Sequence, residues 1–254
     1  MKKYNLKSFE YNIVWHCTNS CRACSHLAPI NPQEMVTPFI FEEALKLATK
    51  IITADVFTLI GGEPLLHPDF IELTSIATAS GISTDIQVTT NGALLDRQPD
   101  EFWAAEFNTL RVTRYPDQIT DKQWWAWKRK AQENGKGFHG GMNADFYKPI
   151  IQKPSDVETT NRKFTACPWK DHCTTLDRDC LFICPQALFF PFHFKEIEHD
   201  KDGLCLYDCT PDDVAQYMNR EEPMEACKKC SYYHYVPWKQ VPRKEWIKES
   251  SYYA

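Results

Sequence analysis

The stretch Tyr11-Asn12-Ile13-Val14-Trp15-His16-Cys17-Thr18-Asn19-Ser20-Cys21-Arg22-Ala23-Cys24 decides how the chain is read. It opens on β-branched and aromatic residues, a strand signal, and delivers the chain directly to three cysteines spaced Cx3Cx2C. The cysteines therefore sit in a loop after a strand. Outward from there, Thr37 and Pro38 suit an N-cap and a first helical position, and Phe41, Ala44, Leu45, Ala48, Ile51 and Ile52 share one helical face. Val56 to Ile60 is an apolar strand running into Gly61-Gly62-Glu63-Pro64. A second helix follows from Pro68 to just before Gly81, and a third strand ends at Thr90 ahead of Asn91-Gly92. A helix over 99–107, a strand over 110–113 and a Thr120/Gln123 capping box opening a helix over 121–134 continue the rhythm. Such alternation demands parallel strands joined by right-handed crossovers, an α/β fold.

The rhythm breaks near residue 150, where Lys148 to Lys163 is polar, holds two prolines and shows neither period. Two parts are expected, 1–150 and 151–254, and the second holds eight of the eleven cysteines. Within it, Thr174 to Leu176 and Leu181 to Cys184 read as a hairpin, Thr210-Pro211-Asp212-Asp213 opens a short helix, and Lys239 to Ala254 is a charged and aromatic tail. With 254 residues and 43% hydrophobic content the chain buries a full core. A formal charge of −5 sets up no strong field toward nucleic acid or an anionic membrane, so a small or locally recognised substrate is the default. No apolar segment follows the N-terminal lysines, and Leu181 to Phe194 is too short to span a bilayer, so a cytoplasmic protein is expected. An odd count of eleven cysteines in a reducing compartment points to metal or cluster ligation rather than disulfides.

The number three matters in Cys17, Cys21 and Cys24. A structural zinc site takes four protein ligands, whereas a cubane held by three thiolates keeps one iron open. The triplet, Gly61-Gly62-Glu63-Pro64, Thr89-Thr90-Asn91-Gly92 and Arg111-Val112-Thr113-Arg114-Tyr115 all fall at expected C-terminal strand ends, where ligands bind in parallel α/β sheets. In motif order and spacing this resembles the radical S-adenosylmethionine (radical SAM) superfamily over roughly residues 10 to 150. The resemblance implies a partial (β/α)6 barrel and a [4Fe–4S] cluster on Cys17, Cys21 and Cys24. It also implies S-adenosylmethionine chelated to the open iron and contacted by Gly61, Gly62, Glu63, Pro64, Thr90, Asn91, Arg111 and Thr113. Cleavage of that cofactor to a 5′-deoxyadenosyl radical, with a flavodoxin- or ferredoxin-type reductant, is the implied chemistry. Ala23 stands where relatives usually carry an aromatic residue near adenine, and Trp15 or His26 are the substitutes at hand. The bland alternative is a zinc knuckle or buried thiols.

Cys167-x5-Cys173-x10-Cys184 and Cys227-x2-Cys230 resemble a Twitch-type extension carrying one auxiliary [4Fe–4S] cluster. That resemblance implies Cys184, Cys227 and Cys230 as ligands together with Cys167 or Cys173, and zinc is the competing metal. Cys180, Cys205 and Cys209 have no matching pair and read as free thiols, with Cys205 or Cys209 a candidate hydrogen-atom donor. His139, Arg114 and Tyr115 are the candidates for acting on substrate. The expected function is radical oxidation or epimerisation of a small, sugar- or aminocyclitol-like metabolite. The alternatives are modification of a ribosomal peptide or of a nucleoside or nucleic acid, and, in a different class, a non-catalytic iron–sulfur or zinc protein.

Overall fold

Over their second halves the strands set apolar residues on one face and mostly polar residues on the other, and that alternation organises the chain. A computed structural model describes residues 2–198, 201–231 and 234–253; Met1 and Ala254, the outer limits of the two expected parts, lie outside the described residues. Strands β1 (Tyr4–Val14), β2 (Ile52–Gly61), β3 (Ile86–Thr90), β4 (Thr109–Arg114) and β5 (Gly137–Met142) lie side by side and parallel. Helices α1 (Pro38–Ala48), α2 (Phe70–Ser80), α3 (Asp100–Ala104) and α4 (Asp121–Glu133) connect them. Phe9, Tyr11 and Ile13 of β1, Phe57 and Leu59 of β2, Val88 of β3 and Leu110 and Val112 of β4 are buried with Phe41, Leu45, Leu73 and Trp127 of the helices. The intervening positions are Glu10, Asn12, Thr58, Gln87, Thr89, Arg111, Thr113 and His139. One face of the sheet is an oily helix bed and the other is polar.

Local chemistry places the helix ends. Thr37 Oγ1 accepts from Ile40 N, and Pro38 follows at the first turn. The Thr120/Gln123 capping box forms in both directions, and Gly81 closes α2 in the left-handed region at φ 67°. Several boundaries differ from the sequence reading: α3 ends at Ala104 rather than 107, the hairpin strands are Thr175–Asp177 and Cys180–Phe182, and a helix, Val157–Thr165, occupies part of the stretch read as aperiodic. Helix α1 stops at Ala48, because Thr49 turns its hydroxyl back to Leu45 O and Ile52 is taken into β2. Strand β1 begins at Tyr4 rather than near Tyr11, since its first half pairs with Ile52–Val56 of β2.

The sixth parallel strand, Thr175–Asp177, lies on the other side of β1 and not beyond β5. It turns through Arg178 (φ 50°) into an antiparallel strand, Cys180–Phe182, and Gly203–Cys205 pairs on at the sheet's end. One sheet therefore runs across residue 150. No described helix is long and apolar enough to cross a membrane.

Strand β5 gives a direct test of how closely the sheet is packed. A Cβ on Gly140 would lie 2.0 Å from Val112 O, whereas one on adjacent Gly141 would meet nothing within 4 Å. Gly140→Ala is expected to cost about 2 kcal/mol or more, lowering Tm by roughly 5 °C or more, while Gly141→Ala changes it by under about 1 °C. Thermal unfolding of both variants checks this.

Candidate active site

The cysteine loop begins at a β-bulge. Asn12 faces Ile60 and Val14 faces Gly61, so β1 has one residue too many at Ile13, and the extra twist re-aims the chain as it leaves the sheet. Gly61 and Gly62 then press against it: a Cβ on Gly61 would stand 2.0 Å from Val14 O, and one on Gly62 2.0 Å from His16 O. The glycines thus admit the main chain of the cysteine loop, which is a different use from the close approach to a ligand read from sequence. Gly62 N and Glu63 N complete the contact by donating to Val14 O and His16 O at 2.7 and 3.0 Å.

Glu63 is fully buried and its carboxylate joins three segments. Its Oε1 accepts from Thr90 Oγ1 at 2.6 Å and Leu65 N at 3.1 Å, and its Oε2 accepts from Asn91 N at 2.9 Å. Burial raises its pKa to about 7 against the pull of those donors. Asn91 Nδ2 donates to Cys17 Sγ at 3.4 Å and Thr18 Oγ1 at 3.0 Å, which ties the Thr90-Asn91 turn to the first cysteine. Pro64 is buried at the start of a single helical turn. The three thiols lie within electrostatic reach of one another, and burial pushes all three pKa values up, that of Cys17 to about 12. Ala23 (φ 63°) and Leu27 (φ 52°) hold left-handed backbone in this loop, a strain the surroundings must hold in place.

The surroundings include the C-terminal tail, whose role sequence reasoning missed. Trp238 Nε1 donates to Cys21 Sγ at 3.1 Å, and Trp246 Nε1 to Cys21 O at 2.8 Å. Gln240 accepts from Ser20 N at 2.7 Å, Val241 N donates to Ser20 O, and Ser250 Oγ accepts from Ala23 N at 3.0 Å. Tyr115, half-buried beside the cysteines, stacks on Trp238 with ring centroids 5.3 Å apart. Indole nitrogens amid a charged tail were the available signal, because a buried Trp N–H needs a partner.

The polar face of the sheet supplies a second group. Asn12 Nδ2 donates to Thr175 Oγ1 at 2.8 Å, His139 pairs with Gln87 at 3.1 Å, and Arg111 lies in electrostatic reach of Glu10, His139 and Cys173. Arg111 thus sits on the floor with Glu10. Four buried atoms here have no hydrogen-bond partner: Glu10 Oε2, Asn12 Oδ1, His26 Nε2 and Thr174 Oγ1. Burial raises Glu10 to about 7 and lowers His26 to about 4. Of the sequence candidates, Thr113 and His139 fall on this face, whereas Arg114 is spent on Asp121 and Ile119 O at the start of α4. Trp15 packs against Phe189 and Phe192, and His26 faces Glu10 at 4.0 Å. Glu10, Asn12 and Thr174 were not singled out from sequence, since a strand alternating toward a polar interior reads like one facing water.

The second cysteine set also converges. Cys184 is in electrostatic reach of Cys227, Cys230 and Cys167, and Cys227 and Cys230 in turn feel Cys167. Cys173 instead neighbours Glu10 and Arg111 as well as Cys167. Asp202 receives Glu225 N and Ala226 N at 2.6 and 2.8 Å, and Lys163 Nζ donates to Cys227 O and Cys230 O at 2.7 and 2.8 Å. Cys205 is exposed on the last strand of the sheet, separated from β1 by two strands and away from the polar floor.

A parallel sheet that gathers a cysteine triplet, a buried Gly-Gly-Glu-Pro carboxylate and a Thr-Asn-Gly turn at one end defines a class. Residues 11–114 match the family described as the Radical SAM superfamily. That family implies a [4Fe–4S] cluster and S-adenosylmethionine, and the three thiols, with Glu63 and Asn91 beside them, fit both. Among curated relatives, a GTP 3′,8-cyclase of Microcystis aeruginosa is 29% identical over 109 residues, 40% of this chain and 32% of that protein. A GTP 3′,8-cyclase of Chlorobaculum tepidum is 63% identical over 54 residues, 21% of this chain and 16% of that protein. The matched stretch thus spans about a third or less of those relatives' length. In fold, the chain is similar to BtrN in complex with AdoMet and 2-DOIA (TM-score 0.59, 10% identity, covering 91% of this chain and 95% of that one). It is also similar to anSMEcpe with bound AdoMet (TM-score 0.56, 11% identity, 97% and 95% covered).

Glu10 sets a pH signature. Because its pKa is raised to about 7, the native state binds the proton more tightly than the unfolded chain. The stabilisation is complete below about pH 4.5 and is lost as pH rises through 7. Glu10→Gln is therefore expected to flatten the decline in stability between pH 5 and 8 by roughly 2 kcal/mol, read from urea unfolding at several pH values. Trp238→Phe removes an N–H···S hydrogen bond from Cys21 and is expected to shift the reduction potential of the cluster to a more negative value, measured by redox titration.

Proposed function

We propose that this protein is a radical SAM enzyme that oxidises or epimerises a small polar metabolite, with a second [4Fe–4S] cluster in its C-terminal part. When bound, the catalytic cluster and S-adenosylmethionine supply a 5′-deoxyadenosyl radical that takes a hydrogen atom from the substrate. Residues 1–150 hold that cofactor pair: Cys17, Cys21 and Cys24 ligate the cluster, and Glu63 offers a buried carboxylate to the methionine ammonium. Gly61, Gly62 and Pro64 shape that corner, Thr90 and Asn91 hold Glu63 in place, and Thr113 lies on the polar face below it.

One observation carries the substrate reading. Glu10, Asn12, His26 and Thr174 each bury a polar atom without a hydrogen-bond partner, Glu10 and His26 facing each other at 4.0 Å, and a hydroxyl- or amine-bearing ligand would satisfy them. Arg111 and His139 line the same floor, and Glu10, poised near neutral pH, is suited to accept the proton that a radical oxidation releases. Tyr115 and Arg114 serve as positioning residues, the first against Trp238 and the second at the head of α4.

Residues 151–254 would carry the auxiliary cluster on Cys167, Cys184, Cys227 and Cys230, the grouping that leaves Cys173 beside Glu10. A single tetrahedral zinc ion draws thiolates to about 3.8 Å from one another. Among the described residues, neither cysteine set brings three ligand atoms within 4.8 Å. A low-potential one-electron donor of flavodoxin or ferredoxin type would reduce them.

The second reading is a nucleotide substrate, favoured by the curated relatives being GTP 3′,8-cyclases. The experiment that separates the readings starts with anaerobic reconstitution. The reduced protein should cleave S-adenosylmethionine to 5′-deoxyadenosine and hold about eight irons. Deuterium from a labelled cyclitol or sugar, and not from labelled GTP, should appear in 5′-deoxyadenosine. Glu10→Gln should lower substrate turnover about 100-fold or more while leaving uncoupled cofactor cleavage in place. Absence of cleavage sinks the enzyme reading, and label arriving from GTP sinks the metabolite reading.

A further inference from the structure

Four cysteines remain outside both cluster sites, and three of them, Cys180, Cys205 and Cys209, collect at the last strand of the sheet with Asp179. Leu206 N donates to Asp179 O at 2.8 Å, which makes Leu206 and Asp179 a hydrogen-bonded pair of the antiparallel ladder. Cys205 and Cys180, one step along, therefore form the neighbouring pair without hydrogen bonds, in which Cα atoms approach to about 4.5 Å and side chains share one face. The Asp179 carboxylate stands between them: Oδ1 is 3.7 Å from Cys180 Sγ and Oδ2 is 3.8 Å from Cys205 Sγ. All three ligand atoms lie within 4.8 Å of one another, and among the described residues they form the group tight enough to hold a single ion. A left-handed turn at Asp208 (φ 59°) then brings Cys209 back, so that its Sγ is 2.9 Å from Cys205 O.

We propose that Asp179, Cys180 and Cys205, with Cys209 as the fourth ligand, bind one zinc ion that fastens the edge strand and its loop to the hairpin turn. Zinc–sulfur bonds of about 2.3 Å and zinc–oxygen bonds of about 2.0 Å at tetrahedral angles put sulfur about 3.8 Å from sulfur and about 3.5 Å from oxygen. The sulfur–oxygen separations at Asp179 already approach those edges. Thiolates select zinc over magnesium or calcium, and each thiol gives up its proton on binding. The same two strands would also admit a Cys180–Cys205 disulfide. A carboxylate lodged between the sulfurs contributes nothing to a disulfide and opposes the thiolate that forms it, whereas a cation is stabilised by all three groups.

The test uses full-length protein purified anaerobically and reconstituted with iron and sulfide, then given equimolar zinc in competition with a chromophoric chelator. About one zinc per chain is expected, and its X-ray absorption edge should show a shell of three sulfurs and one oxygen. Cys205→Ser should lower the bound zinc about fivefold or more with iron and sulfide contents unchanged. Three results overturn the proposal: no zinc retained by the wild type, zinc retained fully by Cys205→Ser, or a Cys180–Cys205 disulfide found by mass mapping of anaerobically alkylated protein. Should Cys205→Ser lose iron together with zinc, the wild-type absorption shell decides alone: mixed sulfur and oxygen supports the site, and four sulfurs place the ion elsewhere and refute it.

Discussion

The upper end of the sheet depends on a contact with no room for a side chain. Gly61 and Gly62 lie so close to Val14 and His16 that a methyl group at either position would overlap a carbonyl oxygen. That approach sets where β1 releases the chain, and hence where Cys17 starts the cysteine loop. The same backbone delivers Glu63 into the interior, where Thr90 and Asn91 clasp it and Asn91 reaches on to Cys17. A buried carboxylate with this many donors is costly to assemble and has little freedom to move, the condition under which it can hold a cofactor's ammonium in one place.

The parts of this arrangement that could be read from sequence are local. The alternation of strands and helices, the Thr120/Gln123 box, the Cx3Cx2C loop and the Gly-Gly-Glu-Pro turn each rest on neighbours within a few residues. What could not be read depends on partners far along the chain. Trp238 and Trp246 look like an unremarkable aromatic tail until they meet Cys21 more than two hundred residues away. The choice between Cys167 and Cys173 turns on which side of one short segment faces Cys184 and which faces Glu10, and spacing carries no such information. The position of Thr175–Asp177 beside β1, rather than after β5, is likewise a matter of where a crossover lands.

The two cysteine sets share an energetic logic. Burial disfavours thiolate, so Cys17 and Cys227 are both pushed up to about 12 and would stay protonated in the empty protein at neutral pH. A strongly bound metal centre would repay that desolvation and so couple its assembly to the stability of the loops that carry it. The hydrogen bonds from Trp238, Asn91 and Asn19 to the sulfurs of Cys21 and Cys17 lie ready for the charged form, so the loops are organised for the loaded state.

The polar floor follows the opposite course. A sheet covered by helices on one face gains most by burying apolar side chains on the other as well, yet β1 through β5 set Glu10, Asn12 and Gln87 there, with Arg111 and His139 on the same face and exposed. Internal pairing settles part of that account, through Asn12 with Thr175 and Gln87 with His139. Glu10 Oε2, Asn12 Oδ1, His26 Nε2 and Thr174 Oγ1 are left over, and they lie together on β1, the cysteine loop and the approach to Thr175 rather than scattered through the core. His16 Nδ1 and Arg22 Nε, the remaining orphans, belong to the cysteine loop itself. Unsatisfied groups distributed at random would be packing faults; groups concentrated between the cysteine loop and the floor of the sheet are the ones that the polar substrate proposed above would satisfy.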